Sequence, residues 1–254
     1  MRKYTIVDYF GYDPTPQERM RTIREAGFDG VILLWADYFD ADYKNFPEYA
    51  AKAGLFVKNA HAPYRMANSI WTEGEAGETY TDRIIDCIRD CSLYGIPTLV
   101  MHAINGREPL PDGPNGLARF ERILETAEKN GVDLAIENQG SPAYVDFVFG
   151  HICSDRLHFC FDSGHEKYYS PERDMLAEYG AKLRALHLHD NDGTEDAHAL
   201  PFTGKADWNR LRTRLKEADY KGAIALETLN KGFEYIKDPV EFLGIALERA
   251  KRIL

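Results

Sequence analysis

Carboxylate and imidazole side chains stand at the ends of short apolar segments that recur along this chain. In chain order, the residues that end these segments are Asp8, Trp35, His61, His102, Glu137, Asp162, His187 and Glu227. If these ends converge, the groups would repel one another and lose hydration unless a cation lay among them. Oxygen and imidazole ligands together suit Mn, Zn or Co. The pattern predicts one divalent metal ion, held by Glu137, Asp162, His187 and Glu227.

Further candidate ligands follow at short spacings. His187-Leu-His189 puts a second imidazole on the same strand face as the predicted ligand His187. Asp162-Ser-Gly-His165 places an imidazole three residues beyond the predicted ligand Asp162. With an i, i+2 pair in the next loop, there are enough groups for up to three ions in all. The residues that could hold these additional ions are His61, His102, His165, Asp196 and His198.

Alternating strands and helices would position these groups. The predicted strands are Tyr4–Tyr9, Val31–Trp35, Val57–His61, Thr98–His102, Asp133–Glu137, His158–Asp162, Ala185–His189 and Ala223–Glu227. Helical patterns lie between them. The first is the clearest, because Thr15-Pro16-Gln17-Glu18 offers an N-cap, a proline at the first helical position and a Glu three residues after the cap. The others cover Phe46–Ala53, Gly77–Tyr94, Gly116–Asn130, Pro142–Cys153, Pro171–Tyr179, Trp208–Ala218 and Pro239–Ile253.

Eight strand-helix units over about 250 residues are typical of one fold. We expect an α/β protein, a single (β/α)8 TIM barrel domain over residues 1–254, with its active site at the C-terminal ends of the strands. A doubly wound open sheet is the alternative. That fold should carry a Gly-rich turn after its first strand, and Asp8-Tyr9-Phe10-Gly11-Tyr12 is not one.

The alternation of side chains along each strand indicates which face points into the barrel. Glu137 shares a face with Ala135, opposite Leu134 and Ile136. Small residues with one terminal polar group therefore point inward, and aliphatic residues point outward toward the helices. On the same reasoning Trp35 ends its strand pointing inward, where it could cover the apolar face of a substrate.

Composition and charge exclude several classes of protein. The chain has 254 residues, 44% of them hydrophobic, and a formal net charge of −10 without any basic run, which argues against nucleic-acid binding. No stretch approaches the roughly 18 apolar residues of a membrane span, and no signal peptide opens the chain, so we expect a cytoplasmic protein. The four cysteines form no C-x-x-C pair and are expected to be reduced. The sequence does not decide whether the protein forms a homo-oligomer.

The motifs together resemble the xylose isomerase-like TIM barrel superfamily, which includes sugar phosphate isomerases and epimerases, ketose 3-epimerases and type IV apurinic endonucleases. The matching segments, from His61-Ala-Pro63 onward, are Ala-Ile-Glu137-Asn138, Phe-Asp162-Ser-Gly-His165, His187-Leu-His189-Asp190-Asn191-Asp192-Gly193, Asp196-Ala-His198 and Leu-Glu227-Thr. One departure is Gly204-Lys205-Ala206, where the family usually has a second glycine.

The resemblance implies roles for these residues. The shared metal site falls on the four ligands named above, Glu137 and Glu227 would also transfer protons, and His165 would line the substrate pocket. In the endonucleases a trinuclear zinc cluster would correspond to His61, His102, Glu137, Asp162, His165, His187, Asp196, His198 and Glu227.

The expected function is a metal-dependent sugar or sugar-phosphate isomerase or epimerase. It would remove the proton next to a substrate carbonyl through a metal-stabilised enediolate. Lys205, with Arg65, Arg107 and Lys231, could hold a phosphate. A multinuclear zinc phosphodiesterase or phosphatase of the apurinic endonuclease type is the first alternative, although acidic loops with little basic compensation disfavour DNA. A metal-binding barrel without catalysis is the second.

Overall fold

The fold is a barrel of eight parallel strands enclosed by helices. The computed structural model describes residues 2–107 and 113–254. The strands are β1 (Tyr4–Val7), β2 (Gly30–Leu34), β3 (Phe56–His61), β4 (Thr98–His102), β5 (Asp133–Glu137), β6 (Leu157–Asp162), β7 (Leu183–His187) and β8 (Ile224–Leu226). The described helices are α1 (Pro16–Glu25), α2 (Phe46–Ala53), α3 (Glu75–Tyr94), α4 (Pro114–Asn130), α5 (Pro142–His151), α6 (Ser163–Tyr169), α7 (Met175–Tyr179), α8 (Trp208–Glu217) and α9 (Pro239–Lys251).

The strands follow one another around the barrel in sequence order, with β8 beside β1. The ring closes between β7 and β8 just beyond the end of β7, where Leu188 forms a parallel bridge with Leu226. The N–H of Leu188 donates to the carbonyl of Ala225, and the N–H of Glu227 donates to the carbonyl of Leu188. The TIM barrel prediction is confirmed. A doubly wound sheet is excluded because the strand order never reverses.

Local sequence signals account for the helix ends. At α1 the Thr15 hydroxyl accepts from the N–H of Glu18, and the Glu18 carboxylate accepts from the N–H of Thr15, so the predicted capping box is present. Gly54 and Gly131 end α2 and α4 in the left-handed conformation. Helix α6 was not predicted, because its seven residues carry no apolar period. It begins where the Asp162 side chain accepts from the N–H of His165.

The barrel interior beneath the strand ends is narrow. Val100, Ala135, Cys160 and Ala185 form a buried cluster there, separate from the larger core between the strands and the helices. In the ladders Val100 pairs with Ala135, and Cys160 with Ala185. These small side chains form the layer directly below the polar residues at the strand ends, as predicted from the alternation of side chains along the strands.

Among the described residues, no helix combines the length and the apolar character that a membrane crossing requires.

Enlarging a side chain in this layer of small residues should destabilise the barrel. Ala135 is completely buried, so Ala135→Leu should lower the free energy of unfolding by about 1–3 kcal/mol through overpacking. Ala118 is exposed on α4, and Ala118→Leu should change it by less than about 0.5 kcal/mol. Urea unfolding followed by circular dichroism measures both. Equal stability of the two variants would contradict a filled interior.

Candidate metal centre and active site

A cavity of about 490 Å³ opens at the C-terminal ends of the strands. Its upper wall is apolar and comes from Val7, Leu34, Phe39 and Leu229. Its floor is polar. The floor residues that line it are His61, His102, His165, Asp196, His198 and Glu227. Beneath them lie Glu137, Asp162 and His187, which are fully buried.

The first group in the floor consists of His61, His102 and Glu137. The Nδ1–H of His61 donates to the carbonyl of Ala62 at 2.8 Å, and the Nδ1–H of His102 donates to Asn105 Oδ1 at 2.7 Å. Each Nε2 therefore presents a lone pair, and the two nitrogens lie 3.2 Å apart. Both also approach Glu137 Oε2, at 3.1 and 3.3 Å. Three acceptors this close require a proton or a cation between them.

The spacing of these atoms suits a metal ion. A tetrahedral ion with ligand bonds of about 2.0–2.1 Å has ligand atoms about 3.3 Å apart. The three distances of 3.1, 3.2 and 3.3 Å among the two nitrogens and the carboxylate oxygen match that edge. Asn105 keeps His102 in place, because its amide also donates to the carbonyl of Tyr64.

The second group is Glu137, Asp162, His187 and Glu227, whose candidate ligand atoms all lie within 4.8 Å of one another. His187 Nδ1 lies 2.7 Å from Glu227 Oε2 and 3.3 Å from Glu137 Oε1. Asp162 Oδ2 is buried without a hydrogen-bond partner among the described residues. The structure thus brings together the four residues that the sequence predicts as ligands of the first ion.

The third group contains His165, His189, Asp196 and His198. His165 Nε2 lies 3.1 Å from Asp196 Oδ2, and the rings of His189 and His198 stack with centroids 4.0 Å apart. His189, a further candidate ligand because of its i, i+2 spacing from His187, is a member of this group. It joins this group to the second one, because its Nε2 lies 3.0 Å from Asp162 Oδ1.

The electrostatics of the floor depend on imidazoles alone. Burial would raise the pKa of Glu137, but the charge of His187 and hydrogen bonds from His165 and His187 hold that pKa well below its ordinary value. Burial would lower the pKa of His198, but Asp196 and Glu227 raise it to about 9. Within the described ranges, no Lys or Arg pairs with the carboxylates of the floor. Their oxygens and the facing imidazole nitrogens therefore form a donor set that fits Mn, Zn or Co.

Two expected inward residues lie elsewhere. Trp35 is buried outside the barrel, where its indole N–H donates to Asp90 of α3 at 3.2 Å, so its predicted place in the substrate pocket is wrong. Asp8 faces Arg19 of α1 at 3.8 Å and accepts from the N–H of Leu34. Strands β1 and β2 are thus one residue out of the predicted phase, and a one-residue shift exchanges the two faces.

Lys205, predicted to contact substrate, also lies outside the cavity. It is exposed and lines a separate depression between α6 and α8. The loop that carries it returns toward Asn191, whose carbonyl accepts from the N–H of Lys205 at 2.8 Å. This backbone contact holds Lys205 beside Asn191, and Lys205 is not part of the cavity lining.

Two residues with amide side chains line the cavity and were not predicted: Asn105 and Gln139. Tyr64, which also lines it, stacks on the ring of His102, with centroids 5.1 Å apart. Gln139 follows Glu137 by two residues, so its position after a strand end was the available signal. Such residues are hard to recognise in a sequence, because amides and phenols are common in loops.

Comparison with known proteins gives matches along the chain. The profile of the xylose isomerase-like TIM barrel family matches residues 20–246. The uncharacterized protein y4fM of Sinorhizobium fredii is 35% identical over 261 residues, covering 85% of this chain and 82% of that protein. Fructoselysine 3-epimerase of Escherichia coli O157:H7 is 31% identical over 84 residues, covering 33% and 30%. Probable endonuclease 4 of Cenarchaeum symbiosum is 30% identical over 155 residues, covering 51% and 54%.

Solved structures share the fold over the whole chain. A D-tagatose 3-epimerase-like protein aligns with a TM-score of 0.74 and 22% identity, covering 100% of this chain and 98% of that chain. D-allulose 3-epimerase from Methylomonas sp., solved in complex with D-allulose, aligns with a TM-score of 0.76 and 16% identity, covering 100% and 98%. At these identities the likeness is one of fold.

Divalent ions should stabilise this protein. Zn²⁺, Mn²⁺ or Co²⁺ that binds only the folded chain adds about 2.7 kcal/mol at one hundred times its Kd, which thermal unfolding detects. Asp162→Asn should lose most of that shift, because it removes a buried charge while keeping an oxygen for the N–H of His165. The matched control Asp155→Asn alters an exposed residue and should respond like the unmodified chain. No shift with any of the three ions would contradict the metal centre.

Proposed function

The chain belongs to the xylose isomerase-like TIM barrel family, and from that premise we propose that it is a metal-dependent isomerase or epimerase of a small sugar. The observation that carries the proposal is the second group of the floor. Glu137, Asp162 and Glu227 are three buried carboxylates around one imidazole, directly under a cavity large enough for a monosaccharide. The fructoselysine and ketose epimerases among the similar proteins support this choice over other reactions of barrel enzymes.

The metal would be held by Glu137, Asp162, His187 and Glu227. A bound divalent ion would polarise a substrate carbonyl and make the proton on the adjacent carbon more acidic. Of these four ligands Glu227 lines the cavity, and it is 9% exposed, so it is the ligand carboxylate that a substrate meets first. We assign it the removal of that proton. Glu137, deeper in the floor, is the second carboxylate that can return a proton.

His165 would orient the substrate. It lines the cavity, and its two ring nitrogens lie 3.2 Å from Glu137 and 3.1 Å from Asp196. Burial would lower its pKa, but the charges of Asp162 and Asp196 hold that pKa well above its ordinary value. A substrate oxygen would take the place of one of these carboxylates as the acceptor of an imidazole N–H. The apolar wall above excludes water from the reacting carbon.

Replacing the proposed base should abolish proton exchange. Glu227→Gln keeps the shape of the side chain but removes its basicity, and it should slow deuterium uptake from solvent into a ketose substrate by about 10²–10⁴-fold. Glu73→Gln, a change of the same kind at an exposed residue, should leave the rate unaltered. Proton NMR of the ketose in D₂O measures both. Full exchange by Glu227→Gln would exclude Glu227 as the base.

A phosphodiesterase or phosphatase with several zinc ions is the second candidate. The third group of the floor favours it, because His165, His189, Asp196 and His198 could hold an ion beside the second group. The partial match to probable endonuclease 4 points the same way. Three metal ions could activate a water and neutralise a phosphodiester.

The mouth of the barrel argues against duplex DNA as the substrate. Glu73, Glu75 and Asp192 are exposed in the segments that follow β3 and β7. More of the acidic residues in these segments are paired with basic side chains than the sequence indicates. Glu195 pairs with Lys231, and Glu78 pairs with two arginines. Those cations are then occupied. A surface that binds DNA needs free cations near the phosphates.

Metal content should separate the candidates. We expect one ion per chain by mass spectrometry after dialysis against Zn²⁺ or Mn²⁺, and deuterium uptake without hydrolysis of bis(p-nitrophenyl) phosphate. Three ions together with hydrolysis would favour the phosphodiesterase instead. A bound ion with neither reaction would favour the non-catalytic barrel.

A further inference from the structure

The described lining of the cavity contains neither Lys nor Arg. Its basic side chains are the imidazoles of His61, His102, His165 and His198, and each of them faces a carboxylate of the floor. The residues 108–112, outside the described part, read Glu-Pro-Leu-Pro-Asp and add no cation. A phosphate group brings close to two negative charges and needs such partners in protein sites.

The cations nearest in sequence to the mouth are engaged elsewhere. Arg65 lies over the ring of Tyr38, 4.1 Å from its centroid. Arg107 donates to the carbonyl of Tyr168 at 2.6 Å. Lys231 lies 2.5 Å from Glu195. None of the three lines the cavity.

The positive charges of the floor are already paired. Glu137, Asp162, Asp196 and Glu227 face imidazoles, and the proposed divalent ion would lie among the same carboxylates. A phosphate placed above them would lose hydration without gaining a free cation. An uncharged sugar meets no such opposition, and the apolar wall suits the C–H face of its ring or chain.

A buried carboxamide faces this cavity. Gln139 is 8% exposed and lines the cavity, and its Nε2 donates to the hydroxyl of Tyr169 at 3.2 Å. Its Oε1 is buried and has no hydrogen-bond partner among the described residues. A buried acceptor left unpaired is unfavourable. Within the cavity, a substrate hydroxyl can satisfy it.

The backbone holds Gln139 in this position. Its N–H donates to the carbonyl of Glu137 at 2.8 Å. The next residue, Gly140, has a φ of 69°, and a Cβ there would collide with the carbonyl of Gly106. The loops after β4 and β5 therefore pack closely, and the carboxamide is fixed before a ligand arrives. A hydroxyl both donates and accepts, so it pairs with the amide in either orientation.

We propose that the cavity takes an unphosphorylated ketose and excludes its phosphate ester, and that Gln139 binds one substrate hydroxyl as a positioning residue. This inference rests on the proposed isomerase or epimerase function.

The first experiment compares uncharged ketoses with their phosphates. The holoenzyme is assayed for deuterium uptake with D-fructose, D-allulose and other hexuloses, with pentuloses, and with the terminal phosphate of each sugar. Binding of each is measured in parallel by calorimetry. We expect kcat/KM at least 100-fold higher for one uncharged ketose than for its phosphate. Equal or better use of a phosphate would overturn the inference while leaving the proposed function standing.

The parallel binding data separate the two proposals. If uncharged ketoses bind and phosphates do not, yet no sugar exchanges deuterium, the proposed reaction fails and the assignment of the cavity stands. If no ketose of either kind binds or exchanges, both proposals fail.

The second experiment tests Gln139. Gln139→Met keeps the length of the side chain without its amide, and it should raise KM about tenfold with kcat changed less than threefold. Gln17→Met at an exposed residue of α1 is the matched control and should leave both constants unchanged. In a series of deoxyketoses, the unmodified enzyme should have a higher KM for the analogue that lacks the bound hydroxyl than for the parent ketose. Gln139→Met should not distinguish that analogue from the parent ketose. An equal penalty for every analogue would show that Gln139 serves only to pack the loop.

Discussion

The carboxylate of Glu137 is completely buried at the centre of the barrel mouth and is surrounded by imidazole rings. His61 and His102 approach one of its oxygens at 3.1 and 3.3 Å, and His165 and His187 approach the other at 3.2 and 3.3 Å. Two of these rings have already used their Nδ1–H on oxygen acceptors. They can face the carboxylate favourably only around a proton or a metal ion, so the whole floor is built for positive charge.

This arrangement depends on the barrel beneath it. His102 pairs in register with Glu137, and Asp162 with His187, so the ladders bring two pairs of functional groups to the same heights. The layer below is made of small side chains such as Ala135 and Ala185. A larger residue there would push the functional layer upward and spread its ligand atoms, because interiors of this density do not absorb extra volume.

The sequence predicts strands β3 to β8 well, because their two faces differ in chemistry. Alternation of Ala with Glu or His can be placed in only one way around a narrow barrel. Strands β1 and β2 lack that contrast: Gly30-Val-Ile-Leu-Leu34 is apolar on both faces. The register of β2 against β3 also shifts between Val31 and Ile32, and no local pattern signals such an irregularity. The positions of Trp35 and Lys205 depend on contacts with distant segments, which the spacing of residues cannot reveal.

The observed phase of β1 and β2, which differs from the predicted one, has a consequence for the cavity. With Asp8 and Trp35 facing outward, Val7 and Leu34 face the cavity and give it an apolar wall opposite the charged floor. The strands that carry the candidate metal ligands and the strands that carry the apolar wall are therefore different parts of one ring. Chemistry at the floor can stay fixed while the wall and the loops after β4 and β5 select the substrate. Gln139 stands at the boundary between these two surfaces, where a sugar would present a hydroxyl beyond its reacting carbons.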